Sequence, residues 1–282
     1  MIRRPPRSTQ GVSSAASDVY KRQLPDQNFQ SHSARFPSAC YMNQSNWSVK
    51  AKNLPEHSRN PIHTDEGGIA AGFDGALVAG VTVYAYLTNP IVKLWGVDWL
   101  RRGSSIIEFK SPVLANQLVE CITVLEEESL EVNATVENEI RAQCTAFMNL
   151  SNPENPILSS DELLEVIDIH LVDEWEDYGR RAGDDNEIYS ELGLVHPAIW
   201  PAVANHVVER NLVDGAWIHT RSKIFHHDSV QIGSIATVES YVVRRFETRA
   251  GDRVVINVSI TVDGEKVADV EHEAIISLNN TN

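Results

Sequence analysis

Cysteine is scarce in this chain of 282 residues: there are three. Cys40, Cys121 and Cys144 are odd in number and widely separated, so they fit neither a disulfide framework nor a CxxC metal site. A reducing cytoplasm is the expected compartment, and no metal is called for. Long apolar runs are missing too. The longest, GALVAGVTVYAYL from Gly75 to Leu87, is shorter than the ~18–20 residues a membrane helix needs, so no membrane partner is expected. Positive charge is also in short supply, with 24 Lys and Arg against 39 Asp and Glu and a net charge of −15. Such a surface repels phosphate backbones and anionic lipid, which excludes nucleic acid as a natural partner. What is present is ordinary for a folded protein: 42% hydrophobic and 22% charged residues, on a length that suits two domains or one large one.

The first 23 residues, MIRRPPRSTQGVSSAASDVYKRQ, have no periodicity and no apolar core ahead of a small-residue cleavage site, so they do not read as a signal peptide. They resemble a translated sequencing-adapter fragment of the kind found at the ends of genes predicted from metagenomic assemblies. Residues 1–41 are therefore expected to be a non-native or disordered leader, with Met42 a plausible start. The leader is basic, so the remainder is more acidic than the whole.

From Trp47 a short alternating stretch leads into the turn-rich LPEHSRNPIHTDEGGIAAGFDG and then the apolar run Gly75 to Trp95, which reads as a buried helix bent or restarted at Asn89-Pro90. Four strand-like pieces follow, Ser105 to Val113, Leu118 to Leu125, Leu130 to Glu137 and Ile140 to Met148; the third alternates cleanly, with Leu130, Val132, Ala134 and Val136 on one face. Residues 150–163, rich in Pro, Ser and Asn, are the candidate linker. The same order then returns: a strand in LEVIDIHLV, a turn-rich GDDNEIYSELGLVHP, an apolar helix in AIWPAVANHVVERNL, and strands at Ala216 to Phe225, Ser234 to Phe246, Val254 to Val262 and Glu265 to Leu278. Asp263-Gly264 is a strong hairpin turn. The expectation is an internal duplication of class α+β, each half an antiparallel sheet wrapped around a long helix, with repeats at 42–149 and 164–282, the second degenerate. Each half so arranged resembles a hotdog, and the pair a double hotdog.

The segment NPIHTDEGGIAAGFDGALVAG, Asn60 to Gly80, resembles the hydratase motif of the MaoC-like dehydratase family, which includes (R)-specific enoyl-CoA hydratases. That pattern runs G-D-x-N-P-x-H-x-D, then a Gly-Phe-x-Gly turn, then a helix opening on H-G. The resemblance implies a hotdog fold and the addition of water to, or its removal from, acyl thioesters, with no cofactor. It puts Asn60, Pro61 and His63 on the family's Asn, Pro and catalytic His, and Gly80 on the Gly at the helix start. Ser58 stands where the family has its catalytic Asp, and Ala79 where a His precedes the helix Gly. In the second half Asp184 and Asn186 fall on the Asp and Asn positions, with Tyr189 in place of the His.

Hydration needs a base for water and an acid for the α-carbon, and backbone N–H groups at a helix start can hold the charge that develops on the thioester oxygen. The expected catalytic set is therefore His63, Ser58 and Asn60, with Glu56, Asp65 or Glu66 as replacement carboxylates. Gly75 and Gly80 are the expected substrate-binding glycines, at the close approach to the ligand. The plainer role of Asp65 and Glu66 is capping the short helix they begin, and His226-His227-Asp228 reads as a solvated edge rather than a metal site. The expected ligand is an acyl-CoA or acyl-carrier thioester, its acyl chain held between the two halves and its pantetheine entering near His63. One chain already forms the pseudo-dimer, with a homodimer optional. A non-catalytic acyl-CoA-binding protein and a hotdog thioesterase are the alternatives.

Overall fold

A computed structural model describes residues 47–148 and 162–278. The expected leader, Met42 and most of the expected linker lie outside the described residues. The first half runs β1 (Trp47–Lys50), two 3-10 turns (Pro55–Arg59 and Pro61–His63), α1 (Asp65–Ala70), α2 (Gly80–Arg102), then β2 (Ser104–Phe109), β3 (Leu118–Leu125), β4 (Leu130–Val136) and β5 (Glu139–Phe147). The second runs β6 (Ile167–His170), three short helices, α3 (Asp173–Glu176), α4 (Tyr178–Ala182) and α5 (Ile188–Leu192), then α6 (Ile199–Asn211), β7 (Ile218–His226), β8 (Ile235–Thr248), β9 (Gly251–Val262) and β10 (Glu265–Leu278).

All ten strands form one sheet in the order β1-β3-β4-β5-β2-β7-β10-β9-β8-β6. Read from either end, the order is the same once β1 to β5 are matched with β6, β7, β8, β9 and β10 by position. The sequence is palindromic about the β2·β7 seam, where Ser104 to Glu108 pair antiparallel with Phe225 to Arg221. The two meanders thus continue one another instead of packing face to face.

Helix α2 lies against the inner face of the first meander. Every residue from Val81 to Val92 is buried, as expected of a helix apolar all round. Its start differs from the sequence reading. Residues 75–79 are not helical, because Leu77 and Val78 are claimed by neighbouring backbone: Leu77 N–H donates to Ile62 O at 3.0 Å and Val78 N–H to Val113 O at 2.8 Å. The helix also continues past Trp95 to Arg102, through a break at Gly96 (φ 61°), and ends with Arg101 and Arg102 in its last turn, where cations suit the helix dipole. Pro90 leaves the Tyr86 carbonyl without its helical donor. The Cys121 thiol, buried in β3, donates to that oxygen at 3.4 Å.

The second half's turn-rich segment folds back over α2. Asn89 of α2 donates to Asp184, and to Asp185 at 2.8 Å, while the Asn186 amide donates to the Asn89 carbonyl at 3.1 Å. The core is continuous through both halves, including Tyr84, Leu87 and Trp99 from α2 and Val203, Val207 and Val208 from α6.

Candidate functional site

The NPIH motif is a local folding unit before it is a site. Asn60 accepts the Ile62 N–H on its side-chain oxygen at 3.4 Å, and Pro61 pre-sets the first φ of the 3-10 turn that follows. Ile62 is buried and anchors the turn. The Asn60 amide also donates to the Trp217 carbonyl of the second half at 2.8 Å. The turn is therefore fixed to both halves, and His63, its last residue, is carried into a cavity of about 590 Å³ between them. The two 3-10 turns and the start of α2 form one wall, α6 and β6 the other, and Phe109, Trp217 and His219 the floor between.

His63 is oriented by one bond: its Nδ1 lies 2.8 Å from the Leu77 carbonyl. A carbonyl can only accept, so Nδ1 carries the proton and Nε2 keeps its lone pair. Burial holds the ring neutral, lowering its pKa to about 4, with the Leu77 bond opposing the shift. The His57 ring lies 6.1 Å from that of His63. Its Nε2 meets the Tyr178 hydroxyl at 2.9 Å, and that hydroxyl meets Thr82 at 2.9 Å. Burial likewise lowers the pKa of His57 to about 4, assisted by neighbouring His63.

The remaining expected residues divide. Ser58 lines the cavity, yet its hydroxyl donates to Pro55 O at 2.7 Å, closing the preceding turn. Glu56 lines it too, but both its oxygens accept from the Arg181 guanidinium, at 2.7 and 3.1 Å. Its pKa is lowered: desolvation pushes the other way, and the Arg181 bonds prevail. It is a cross-half ion pair and not a spare base. Asp65 and Gly75 are not among the cavity-lining residues. Asp65 accepts the Ala76 N–H at 3.0 Å and so holds the loop ahead of α2; the cap of α1 is Thr64, whose hydroxyl accepts from Gly67 N–H at 3.1 Å. Gly80 does line the cavity. A Cβ there would stand 3.1 Å from both His219 Nδ1 and Phe109 Cζ.

The start of α2 faces the cavity with no side-chain cap. Thr82 and Val83 N–H both turn back to the Ala79 carbonyl, and the Gly80 and Val81 N–H groups have no partner among the described residues. Within the cavity the structure brings together a neutral base and two free donors at a helix start.

The second half's motif positions are used otherwise. Asp184, buried, receives Asn89, the Asn186 N–H at 2.8 Å and the His196 ring at 3.4 Å. It does not line the cavity that holds His63. The sequence reading missed His57, Tyr178 and His219. His57 could have been noticed six residues ahead of His63, whereas Tyr178 and His219 lie far along the chain. His226 is a correction. It is buried against Trp99, with ring centroids 4.7 Å apart, so it is not on a solvated edge; His227 and Asp228 are exposed, with His227 meeting Asp269 at 2.9 Å.

No protein-family model and no curated protein sequence matches the chain. Solved structures do. A MaoC-like dehydratase aligns over 82% of this chain and 98% of its own at 10% identity and a TM-score of 0.58. A conserved Mycobacterium tuberculosis protein with a double hotdog fold aligns over 82% and 96% at 9% identity and a TM-score of 0.56. A protein assigned as an oleoyl thioesterase of Lactobacillus plantarum aligns over 84% and 98% at 12% identity and a TM-score of 0.52. At such identities the likeness concerns the fold: an α+β double hotdog, two repeats joined into one sheet across the β2·β7 seam.

Proposed function

We propose that this chain is an acyl-thioester hydratase or dehydratase of MaoC-like type, with repeats at 42–149 and 164–282, acting on an enoyl-CoA or 3-hydroxyacyl-CoA held between them. The observation that carries the reading is the pairing of His63, its Nε2 lone pair fixed by the Leu77 bond, with the unpartnered N–H groups at the start of α2. The acyl chain would lie along the apolar walls of Val83, Ile199 and Val203. The thioester oxygen would accept from the Gly80 and Val81 N–H groups, which stabilise the charge that builds there as the enolate forms.

One group then does both proton transfers. His63 Nε2 takes a proton from water as the oxygen bonds to the β-carbon, and the imidazolium returns that proton to the α-carbon on the same face. A low pKa makes His63 a weak base but makes its imidazolium a ready acid, so the proton is not trapped on the ring. Dehydration is the reverse. Among the described residues no carboxylate bonds to the His63 ring to share this work, which favours a slower enzyme than a full Asp and His pair would give. The unpaired buried thiols of Cys121 and Cys144 suit a reducing cytoplasm.

The same base and donors could direct water to the thioester carbonyl, and the thioesterase among the similar structures keeps that reading as the alternative; an acyl-CoA-binding protein without turnover is the other. Products separate the three. Incubated with trans-2-butenoyl-CoA and, separately, butanoyl-CoA, the protein should add one water to the first and leave the second intact. Free CoA from either substrate identifies a thioesterase, and binding with neither product identifies a binding protein.

A further inference from the structure

The floor of the cavity holds a chain of three buried side chains that the reaction above does not use. β7 pairs with β10 in steady register from His226↔Ala268 to Arg221↔Glu273, then resumes at His219↔Ala274, leaving Thr220 without an opposite residue. In a regular strand residues three apart face opposite sides. The bulge removes that alternation, so His219 and Ser222 both turn inward. His219 Nε2 meets Ser222 Oγ at 2.8 Å, and the same oxygen meets His272 Nδ1 of β10 at 2.9 Å. Ser222 and His272 are fully buried and His219 is 8% exposed.

The outer nitrogens of this chain, His219 Nδ1 and His272 Nε2, have no hydrogen-bond partner among the described residues. A buried group left so calls for a reason. With all three groups neutral the chain holds one hydroxyl proton and one proton per ring. Two of these fill the internal hydrogen bonds, so the third sits on one outer nitrogen or the other. His219 lines the cavity, and its Nδ1 lies 3.1 Å from the place a Cβ would take on Gly80. A side chain at position 80 would crowd Nδ1, which is buried against the start of α2, where the Gly80 and Val81 N–H groups are free.

We infer that His219 contacts the substrate, its Nδ1–H joining the Gly80 and Val81 N–H groups as a third donor to the thioester oxygen, with Ser222 and His272 as positioning residues. The inference rests on the acyl-thioester reading. When a carbonyl oxygen arrives, the spare proton settles on His219 Nδ1, the Ser222 hydroxyl donates to His219 Nε2, and His272 Nδ1–H donates to Ser222. Burial, with His272 adjacent, keeps His219 neutral, its pKa well below the ordinary range, so the donor is an imidazole and not a cation. The first half thus supplies the base and the second half part of the anion-stabilising group.

The test uses the full chain with ¹⁵N-labelled histidine, titrated with butanoyl-CoA, which binds whether or not chemistry follows. His219 signals are assigned by their loss in His219→Asn. Binding should move the resonances of both His63 and His219, with His219 shifting toward the Nδ1–H tautomer. In turnover of trans-2-butenoyl-CoA, His219→Gln, which keeps a group near Nε2 and loses the one at Nδ1, should lower kcat by about 10², the effect of removing one oxyanion donor. His219→Asn, with an amide N–H near the Nδ1 position, should stay within about tenfold of wild type. Ser222→Ala should blur the tautomer preference of His219. If His63 moves while His219 does not, or if Gln and Asn are equally damaging, His219 is not a donor and the acyl-thioester reading survives. If neither histidine moves, both fall. Should a variant fail to fold by circular dichroism, the wild-type titration decides.

Discussion

At the residue scale, the properties of the site come from burial acting on neutral imidazoles. His63 and His57 both have pKa values lowered to about 4, against ~6.5 for histidine in an unfolded chain. The unfolded state therefore binds protons first as the pH falls. Their contribution to stability is fully present above about 6.5 and is lost progressively down to about 4. Melting temperature should decline over that window, and His57→Gln should flatten the decline; an unchanged slope in the variant contradicts the assigned pKa. Glu56→Gln breaks the Arg181 pair but removes no proton acceptor from the reaction, so kcat should change by less than about threefold; a loss near the ~10²–10⁴ of a general base would make Glu56 the base after all. The motif itself was legible because Asn60, Pro61 and Ile62 act within a few residues of His63. The restraint on Glu56 was not, because Arg181 lies 125 positions away, nor was that on Asp65, whose partner is the Ala76 backbone. Nothing in the spelling of either carboxylate separates a structural tie from a free base.

Among the elements, irregularities do the positioning. The bulge at Thr220 turns His219 inward, and the alternation rule that located the strands so well in β9 and β10 is blind to it, since a bulge changes facing without changing composition. The helix start was misplaced for a related reason: residues 75–79 are apolar enough for a helix, yet their N–H groups pair with Ile62 and Val113 backbone, which periodicity cannot detect. Pro90 and Cys121 make a matched pair, a carbonyl released by proline and a thiol that meets it. Cys121→Val should cost about 1–3 kcal/mol in urea unfolding by leaving the Tyr86 oxygen buried and unmet, and Cys121→Ser should cost less because it keeps a donor. Equal losses would show that volume, not the hydrogen bond, matters there. Gly68 packs α1 directly on the Gly75 carbonyl, 2.1 Å from where its Cβ would be. Gly68→Ala should lower the melting temperature by several degrees, because backbone has to move; an unchanged melting curve would mean that the loop ahead of α2 yields freely.

The described residues build one sheet with a twofold order of strands, and the proposed site draws unequally on its two halves. The duplication and the α+β class could be read from the recurrence of helix and meander, because each half repeats its hydrophobic pattern. That the meanders join edge to edge at β2·β7 could not, since no residue pattern distinguishes a seam strand from an inner one. Cutting the chain between residues 148 and 162 should give halves that purify together and, expressed singly, aggregate through the bared β2 or β7 edge; a soluble, folded lone half would show that the seam is dispensable. The central claim is that His63 Nε2 moves the proton in an acyl-thioester hydration. It is tested most directly by kcat/KM for trans-2-butenoyl-CoA as a function of pH in wild type and His63→Ala. The account predicts 3-hydroxybutanoyl-CoA as product, an acid limb near pH 4 set by His63, and a loss of ~10²–10⁴ in the variant with its fold intact. Hydration at the same rate in His63→Ala, or none by the wild type across acyl chain lengths, would contradict it.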